Sequence, residues 1–306
     1  MKTPRILVIR GGAIGDFIMT LPALAALREQ WPDGHIEILG YPHITELARG
    51  RYYADATRSV EARALAGFFV PNGILDPGWM EYFGGFNLVI SYLFDPDEIF
   101  SDNVRRCGVK HFVPASPRPV SLHATEHYCK PLEMLAIYVG ALEPRIFPSD
   151  EDRLFAGNYL APLDSGKIVA IHPGSGGEKK NWPVEKFADV AQGLMDEGYQ
   201  LLIVKGEADE AAVRLLESRL DSSHYKVVLG LTLTELAAVL ARCEGFVGND
   251  SGITHLATAV GTPVVALFGP ASTTIWEPRG KKVRVVRFGG SDVDEVRRTL
   301  GEWLER

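Results

Sequence analysis

Short apolar runs alternate with longer amphipathic stretches along most of the chain. Runs such as Ile6–Ile9 are continuous and bounded by charged or turn residues, which is typical of a strand buried on both faces of a parallel sheet. The pattern predicts strands at Ile6–Ile9, Ile36–Leu39, Leu88–Ile90, His111–Val113, Lys167–Ile171, Gln200–Val204, Tyr225–Val228, Cys243–Val247, Val264–Phe268 and Val283–Val286. It predicts helices at Phe17–Gln30, Glu98–Cys107, Glu126–Val139, Val184–Glu197, Ala208–Arg219, Leu233–Arg242, Ile253–Val260 and Asp292–Leu304.

Two segments interrupt this alternation. The signal is weak from Tyr41 to Gly85. Pro, Asp and Gly are frequent from Ala141 to Gly166, which we interpret as a linker with at most one short element, Arg153–Asn158. Two series of alternating strands and helices indicate two doubly wound α/β domains, at residues 1–150 and 151–306. The closing helix could pack back on the first domain. Ligands of such folds bind beyond the carboxyl ends of the strands, so a site is expected in a central cleft.

Composition narrows the class of protein. Hydrophobic residues make up 46% and charged residues 23%, a balance typical of a globular protein, and the formal net charge of −7 argues against a nucleic-acid partner held by charge. The cysteines are three and widely spaced, at Cys107, Cys129 and Cys243, which favours a reducing compartment over disulfides or a zinc site. With no signal peptide and no apolar stretch long enough to span a bilayer, we expect a cytoplasmic protein whose membrane contact, if any, is peripheral.

The first glycine-rich turn follows the first predicted strand. It is not a dinucleotide fingerprint, because Arg10 stands where the first glycine of G-x-G-x-x-G ending at Gly15 would be. Gly12 and Gly15 still allow a tight turn whose backbone is open to a ligand. Asp16 lies at the start of the next helix. It is either a cap of that helix or a carboxylate that serves as a base.

The second candidate is the loop from His172 to Pro183, which follows the first strand of the second half. Its glycines, the hydroxyl of Ser175 and Lys180 are the groups that a phosphate cradle needs, although the P-loop order is absent. A solvated loop is the alternative interpretation. After the next strand, Glu207 could accept hydrogen bonds from both hydroxyls of a ribose, or be an acidic residue of a first helical turn.

The third candidate runs from Gly248 to His255, between two predicted strands. Asp250 or Ser251 can cap the short helix that follows, and a helix that opens directly after a buried strand aims its free N–H groups at one point. That point suits a diphosphate, and the small residues Ser251 and Gly252 let a ligand approach the backbone closely. An ordinary strand-turn-helix with a good cap remains the alternative.

Two further sets of residues have less specific patterns. His123 and His127 have the spacing of helical metal ligands, but no third ligand is evident, so we interpret them as surface or acceptor-side residues. Four arginines cluster in the weakly structured segment, as either a solvated face or a clamp for an anion: Arg49, Arg51, Arg58 and Arg63.

Taken together, three stretches resemble the bacterial heptosyltransferases of glycosyltransferase family 9. They are Arg10–Pro22 with its Gly-Asp and Leu-Pro, the His172–Pro183 loop with its Lys-x-Trp-Pro, and Asn249–His255. The resemblance implies the GT-B architecture, in which two Rossmann-like domains face each other. It also implies an inverting, metal-independent transfer of heptose from ADP-heptose to lipopolysaccharide core at the inner face of the cytoplasmic membrane, with no cofactor.

The resemblance also assigns roles by position. Asp16 matches the proposed base, Ser175 and Lys180 match donor-phosphate contacts, and Glu207 matches a nucleoside contact. Gly176 stands in the same donor loop, where some members have a second hydroxyl residue. Donor-sugar and diphosphate contacts match Asp250, Ser251, Gly252 and His255.

The implied reaction is a single displacement. Asp16 deprotonates an acceptor hydroxyl, which attacks the anomeric carbon, while Lys180 and the helix N-terminus near Ser251 stabilise the leaving diphosphate. Two rival classes remain at this stage. One is a transferase or epimerase that uses another nucleotide-sugar donor, and the other is a non-catalytic protein that binds a nucleotide sugar.

Overall fold

A computed structural model gives the fold as two compact units, unit 1 (residues 1–142) and unit 2 (residues 143–306). It describes residues 3–163, 167–206, 209–220, 224–269, 273–288 and 292–304. Each unit contains one parallel sheet with helices on both faces, so the predicted doubly wound α/β class is confirmed. In the described part of the chain, no helix is both long and apolar enough to cross a membrane.

Unit 1 is built on five parallel strands in the order β3-β2-β1-β4-β5. Its strands are β1 Arg5–Arg10, β2 His35–Gly40, β3 Ala56–Ser59, β4 Leu88–Ser91 and β5 His111–Pro114. Its helices are α1 Ile14–Gln30, α2 Pro42–Thr45, α3 Pro77–Gly84, α4 Ile99–Arg105 and α5 Ala124–Cys129, with 3₁₀ segments at Arg63–Phe69 and Lys130–Leu135. The order of strands reverses at β1, between its neighbours β2 and β4, and ligands of doubly wound sheets bind at such a point.

Unit 2 is built on six parallel strands in the order β11-β10-β9-β6-β7-β8. Its strands are β6 Ile168–His172, β7 Gln200–Val204, β8 Tyr225–Val228, β9 Gly245–Asn249, β10 Val264–Phe268 and β11 Val283–Arg287. Its helices are α6 Asp150–Leu160, α7 Val184–Asp196, α8 Glu210–Glu217, α9 Leu233–Leu240, α10 Gly252–Ala259, α11 Thr273–Trp276 and α12 Asp292–Leu304, with 3₁₀ segments at Ala161–Leu163 and Glu178–Lys180. The order of strands reverses between β6 and β9, which pair directly.

The core of unit 2 explains where its closing helix packs. Val296, Leu300 and Leu304 of α12 belong to the same buried cluster as Trp182 and Phe187. The apolar face of α12 is therefore covered within its own unit.

One predicted helix is much shorter in the structure. The helix predicted over Glu126–Val139 is helical only to Cys129, continues as a 3₁₀ segment to Leu135 and ends at Ala136, whose φ of 57° is left-handed. Pro131 explains the change, because proline has no N–H to donate and its ring clashes with the preceding turn.

The short element predicted at Arg153–Asn158 in the linker is part of a longer helix of 11 residues, α6. Ser149 caps it by accepting the N–H of Asp152 (3.1 Å), and the Asp152 side chain accepts the N–H of Ser149 (2.7 Å). This reciprocal capping box lies in the sequence, but the apolar spacing of α6 is too weak to reveal the helix.

The weak segment from Tyr41 to Gly85 also has structure that periodicity missed. β3 adds an edge strand to β2, and α3 begins after Asp76, whose carboxylate accepts the N–H of Trp79 (3.0 Å). Pro77 occupies the first turn, where its missing N–H costs nothing.

Candidate active site

The predicted phosphate-binding residues of unit 2 follow two strands that lie side by side. His172 at the end of β6 is in register with Gly248 of β9. The loops that leave these strands therefore start next to each other, at the point where the order of strands reverses. This is the place where a doubly wound sheet binds a ligand.

The turn after β9 opens α10 as the sequence predicts, and of the two possible caps Ser251 is the one used. Its Oγ accepts the backbone N–H of Thr254 (3.3 Å), and Gly252 is the first residue of the helix. Capping occupies one of the free N–H groups of the first turn. The remaining ones still attract an anion, and the helix dipole acts in the same direction.

Asp250 is turned away from the cap and pairs with Lys180. The Lys180 Nζ lies 2.7 Å from Asp250 Oδ2, and the side chain of Asp250 is 5% exposed against 44% for Lys180. This contact brings the ammonium group of the loop after β6 to the residue that precedes the N-cap of α10. One cation and one helix N-terminus are thus held together, as stabilisation of a diphosphate requires.

The loop after β6 is fixed to β9 by Asn249, a residue that sequence reasoning did not single out. Its buried side chain donates to the carbonyls of Pro173 (2.8 Å) and Gly174 (3.3 Å) and accepts the N–H of Trp182 (2.9 Å). Both ends of the loop are held by one amide. The sequence signal for this role is an Asn that directly follows an apolar run, at the start of the Asn249–His255 stretch.

Ser175 and Gly176 have different roles in this loop. The Ser175 Oγ lies 2.6 Å from Asn181 Oδ1 and 2.9 Å from the carbonyl oxygen of Gly177, and it accepts the N–H of Gly177 (3.3 Å), so the hydroxyl braces the loop internally. Gly176 is exposed, and a Cβ built on it meets nothing within 4 Å. Contact of either residue with a phosphate stays a prediction.

Beneath the loop, His172 contacts two neighbours that connect it to α8 and α10. Its Nε2 lies 2.9 Å from Asp209 Oδ2, and its Nδ1 lies 3.2 Å from Ser251 Oγ. Sequence reasoning missed both His172 and Asp209 as site residues. His255 is buried on α10, and Glu207 lies outside the described residues, so the nucleoside contact predicted for it remains a prediction.

In unit 1, Asp16 is the third residue of α1 and carries out the capping role that the sequence allowed. Its Oδ2 accepts the backbone N–H of Ala13 at 3.1 Å. Gly12 has a φ of 95°, and a Cβ there would lie 3.0 Å from the same Oδ2, so only glycine fits without strain. Gly15 is buried in the first turn of α1. Capping and proton transfer use different lone pairs, so the first does not exclude the second.

Arg10 and Tyr128 surround the other oxygen of this carboxylate. The Tyr128 hydroxyl donates to Asp16 Oδ1 (3.0 Å), and Arg10 Nη2 lies 3.6 Å from the same atom. The side chain of Arg10 is 2% exposed and the side chain of Asp16 is 27% exposed. The Arg10 guanidinium lies over the ring of Tyr128, 4.5 Å from its centre. Burial raises the pKa of Tyr128 despite the Arg10 cation, so its hydroxyl remains a donor. Neither residue was predicted.

The two histidines considered for a metal have other partners. His123 is buried, so the surface alternative is wrong for it, and it caps α5 by accepting the N–H of Thr125 (3.2 Å). His127 lies 2.9 Å from the carbonyl of Ser116 through its Nε2. Within the described ranges, no three His, Cys, Asp or Glu side chains form a group that could hold a metal ion.

The arginine cluster is mostly engaged in local contacts. Arg49 pairs with Glu46 (2.7 Å), and Arg51 donates to the carbonyl of Glu46 (2.8 Å). Arg58 stacks on Tyr82, with its guanidinium carbon 4.1 Å from the ring centre. Arg63 is exposed on a 3₁₀ segment. These local contacts favour the interpretation of the four arginines as a solvated face over that of an anion clamp.

Comparison with known proteins identifies relatives of the chain. A profile of glycosyltransferase family 9 (heptosyltransferase) matches residues 117–300. Lipopolysaccharide heptosyltransferase 2 of Escherichia coli K12 is 31% identical over 152 residues, which are 48% of this chain and 44% of that protein. The aligned stretch therefore spans less than half the length of that relative.

Solved structures show the same fold. Escherichia coli ADP-heptose lipopolysaccharide heptosyltransferase II matches with a TM-score of 0.79 at 20% identity over 98% of both chains. A heptosyltransferase of Escherichia coli solved with ADP matches with a TM-score of 0.72 at 19% identity, over 97% of this chain and 99% of that one. At these identities the likeness shows the fold alone, and the predicted GT-B class is confirmed.

Proposed function

The chain belongs to glycosyltransferase family 9, the heptosyltransferase family, and we propose that it is an inverting, metal-independent glycosyltransferase that moves heptose from ADP-heptose to a lipopolysaccharide-core acceptor. The observation that carries this proposal is the pairing of Lys180 with Asp250 (2.7 Å), directly before the N-cap of α10. A cation and a helix N-terminus held together are suited to a leaving diphosphate.

Unit 2 holds the donor in this proposal. Lys180 exchanges part of its contact with Asp250 for an oxygen of the diphosphate, and the N–H groups of Gly252 and Ile253 at the start of α10 bind the other oxygens. The loop residues Ser175 and Gly176 line the phosphates, while Asp250 and His255 orient the sugar. Glu207 binds the ribose, a role that rests on the resemblance alone. The rigid attachment of the loop by Asn249 supports a preformed cradle.

Asp16 of unit 1 is the proposed general base. Its carboxylate is partly exposed and is held by Ala13 and Tyr128, which fix its plane while other lone pairs remain for an acceptor hydroxyl. Gly12 and Gly15 keep the turn small enough for a substrate to approach the backbone. Fixed orientation of the base is what proximity catalysis requires.

The proposed reaction is one displacement. Asp16 takes the proton of the acceptor hydroxyl as its oxygen forms a bond to the anomeric carbon of heptose. The bond from that carbon to the diphosphate breaks with its electron pair going to ADP, so the configuration inverts. Lys180 and the α10 N-terminus stabilise the charge that develops on the diphosphate.

The acceptor side of the proposal rests on unit 1. A cavity of about 270 Å³ lies at the carboxyl ends of β4 and β5, with Phe94 and Pro117 among its lining residues. The Pro117 carbonyl oxygen also lies 3.2 Å from the hydroxyl oxygen of Tyr128, the residue that holds Asp16. We propose this cavity for the acceptor glycan. Action on a lipid-linked glycan implies a cytoplasmic protein with peripheral contact to the inner membrane face.

A transfer assay on the full chain tests the function. The protein is incubated with ADP-heptose and heptose-deficient lipopolysaccharide cores of increasing length, and mass spectrometry detects addition of one heptose. UDP- and GDP-sugars serve as control donors. Transfer from ADP-heptose alone is the expected result. Transfer from a control donor instead, or release of ADP with no transfer to any core, would contradict the proposal.

A further inference from the structure

A buried line of hydrogen bonds connects three loops of unit 2. Asp209, which precedes α8, contacts His172 Nε2 through Oδ2 (2.9 Å), and His172 Nδ1 contacts Ser251 Oγ (3.2 Å). Asp209 and His172 are both buried. The loops after β6, β7 and β9 therefore meet at one carboxylate and one imidazole, beside the N-terminus of α10.

The charge of Asp209 fixes the direction of the hydrogen bond at Nε2, and the bond at Nδ1 is described for the neutral imidazole. Burial alone would raise the pKa of this carboxyl, but hydrogen bonds from His172 and from the N–H of Gly206 (2.8 Å) hold it below its ordinary value. An ionised carboxylate only accepts, so Nε2 of His172 carries the hydrogen. In the neutral imidazole the lone pair is then on Nδ1, where it accepts the hydroxyl hydrogen of Ser251.

This direction leaves Ser251 Oγ with its lone pairs towards α10. One of them accepts the Thr254 N–H (3.3 Å), which is the capping bond. The Thr254 hydroxyl donates to the carbonyl of Asn249, so it does not supply a hydrogen to Ser251. The cap is therefore set by His172, and His172 is set by Asp209.

The packing around Asp209 indicates that the carboxylate has a fixed place. A Cβ on Gly174 would lie 1.7 Å from Asp209 Oδ1, and one on Gly206 would lie 2.9 Å from Oδ2. Two glycines thus form a slot for this one side chain. Buried ionic pairs contribute little to stability compared with apolar packing of the same volume, which favours a role in orientation.

We propose that Asp209 and His172 are positioning residues for the donor diphosphate. They fix the hydroxyl of Ser251 as the cap of α10, so that the free N–H groups of this helix keep their direction when a diphosphate binds. The inference rests on the proposed function of this site as the donor site. It adds two residues that do not themselves touch the donor.

Two substitutions of Asp209 separate orientation from charge. In Asp209→Asn the amide oxygen takes the place of Oδ2, because that position must accept two hydrogen bonds, and the tautomer of His172 is kept. Asp209→Ala removes the acceptor. We expect the ADP affinity of the full chain, measured by calorimetry, to stay within about threefold of wild type in Asp209→Asn. In Asp209→Ala it should fall about tenfold or more, the smallest loss typical when a metal-binding histidine loses its hydrogen-bond partner.

The tautomer itself is measured by ¹⁵N spectroscopy of the imidazole nitrogens in the labelled full chain, with His172 assigned by the loss of its signals in His172→Gln. The expected signature is hydrogen on Nε2 in wild type and Asp209→Asn, and its loss in Asp209→Ala. A purely structural role would not preserve this signature in one variant and remove it in the other. Asp189→Ala, at an exposed position of α7, is the control.

Each other outcome also decides the question. Hydrogen on Nδ1 in wild type, or wild-type ADP affinity in a folded Asp209→Ala, overturns the inference. If Asp209→Ala does not fold, His172→Gln replaces it, since glutamine can donate to Asp209 but offers Ser251 no Nδ1, and unchanged affinity there also overturns it. If wild type binds no ADP, the proposed function fails, while the imidazole spectra still support or overturn the hydrogen-bond line.

Discussion

At the scale of single residues, Asp16 combines a cap, a counter-ion and a proposed base. Asp16→Asn keeps an acceptor for the Ala13 N–H, but it removes the negative charge beside Arg10, whose Nη2 has no hydrogen-bond acceptor among the described residues. We expect transfer to fall by about 10²–10⁴-fold and stability to fall by roughly 1–3 kcal/mol. Turnover and thermal unfolding measure the two effects.

Tyr128→Phe is the matched control for this change. It removes the hydrogen bond to Asp16 Oδ1 but leaves the carboxylate in place. We expect Tyr128→Phe to lose about as much stability as Asp16→Asn but less than about tenfold in turnover, which would separate the role of the base from that of the hydrogen bonds around it. If both variants lose turnover equally, the network and not the carboxylate limits the reaction.

Lys180 has a structural role that complicates its test as a donor contact. Lys180→Ala leaves the buried carboxylate of Asp250 without its cation, whereas Lys179→Ala removes an exposed charge. We expect the first to cost about 1–3 kcal/mol, below the range for fully buried pairs because Lys180 is partly exposed, and the second to cost almost nothing.

The double variant Lys180→Ala with Asp250→Asn should regain the melting temperature but not the ADP affinity, because only the stability loss comes from the unpaired carboxylate. Calorimetry and thermal unfolding of the three variants give the comparison. Full recovery of ADP binding in the double variant would remove Lys180 from the donor site.

At the scale of elements, the loop after β6 gives a matched pair of glycines. Gly174→Ala places a methyl group against Asp209, and Gly176→Ala places one in open space. We expect the first to cost about 1–3 kcal/mol or more and the second less than about 0.5 kcal/mol. Thermal unfolding measures both.

Gly176→Ala also tests the predicted donor contact. A methyl group that leaves stability unchanged but weakens ADP binding would place the donor against Gly176. Unchanged ADP affinity would mean that the donor does not approach this position closely.

The sequence predicts most clearly the elements whose burial is continuous. β1, β6 and β9 each contain an uncharged run that is fully buried, whereas the edge strand β3, Ala-Thr-Arg-Ser, has no such run. Helix α6 was underestimated because its sequence, rich in Asp and Glu at the start, shows a capping box but little apolar spacing. Tertiary packing against α9 stabilises it instead.

The sequence also indicates only part of the candidate site, namely the residues whose position along the chain is distinctive. Asp16, Lys180 and Ser251 stand at chain positions where a strand ends and a helix begins, which a sequence displays. Asn249, Asp209 and Tyr128 act through contacts with residues distant in the chain, and one sequence does not contain those pairings.

At the scale of the whole molecule, the boundary at residue 143 decides which fragment should fold alone. A shorter fragment that begins at residue 155 would lack the first turn of α6. It would also lack the segment in which the N–H of Ile146 bonds to the carbonyl of Ala259 (2.9 Å). We therefore expect residues 143–306 to form a folded domain that binds ADP, and residues 155–306 to be less stable.

Circular dichroism melting of both fragments and calorimetry with ADP check this expectation. The full chain provides the reference affinity. A folded 143–306 fragment that binds no ADP, beside a full chain that does, would show that the donor needs groups of unit 1.

The pairing of β6 with β9 has a consequence for how the protein is made. β6 ends at His172 and β9 begins at Gly245, and β7 and β8 join the sheet on the other side of β6. During translation β6 therefore emerges with one edge unpaired until β9 has left the ribosome, and such an edge invites association with other chains. The helix that would bind the diphosphate is synthesised later still. A nucleotide held by α10 can stabilise only chains that already contain this helix, so it cannot protect the earlier stages of the nascent chain.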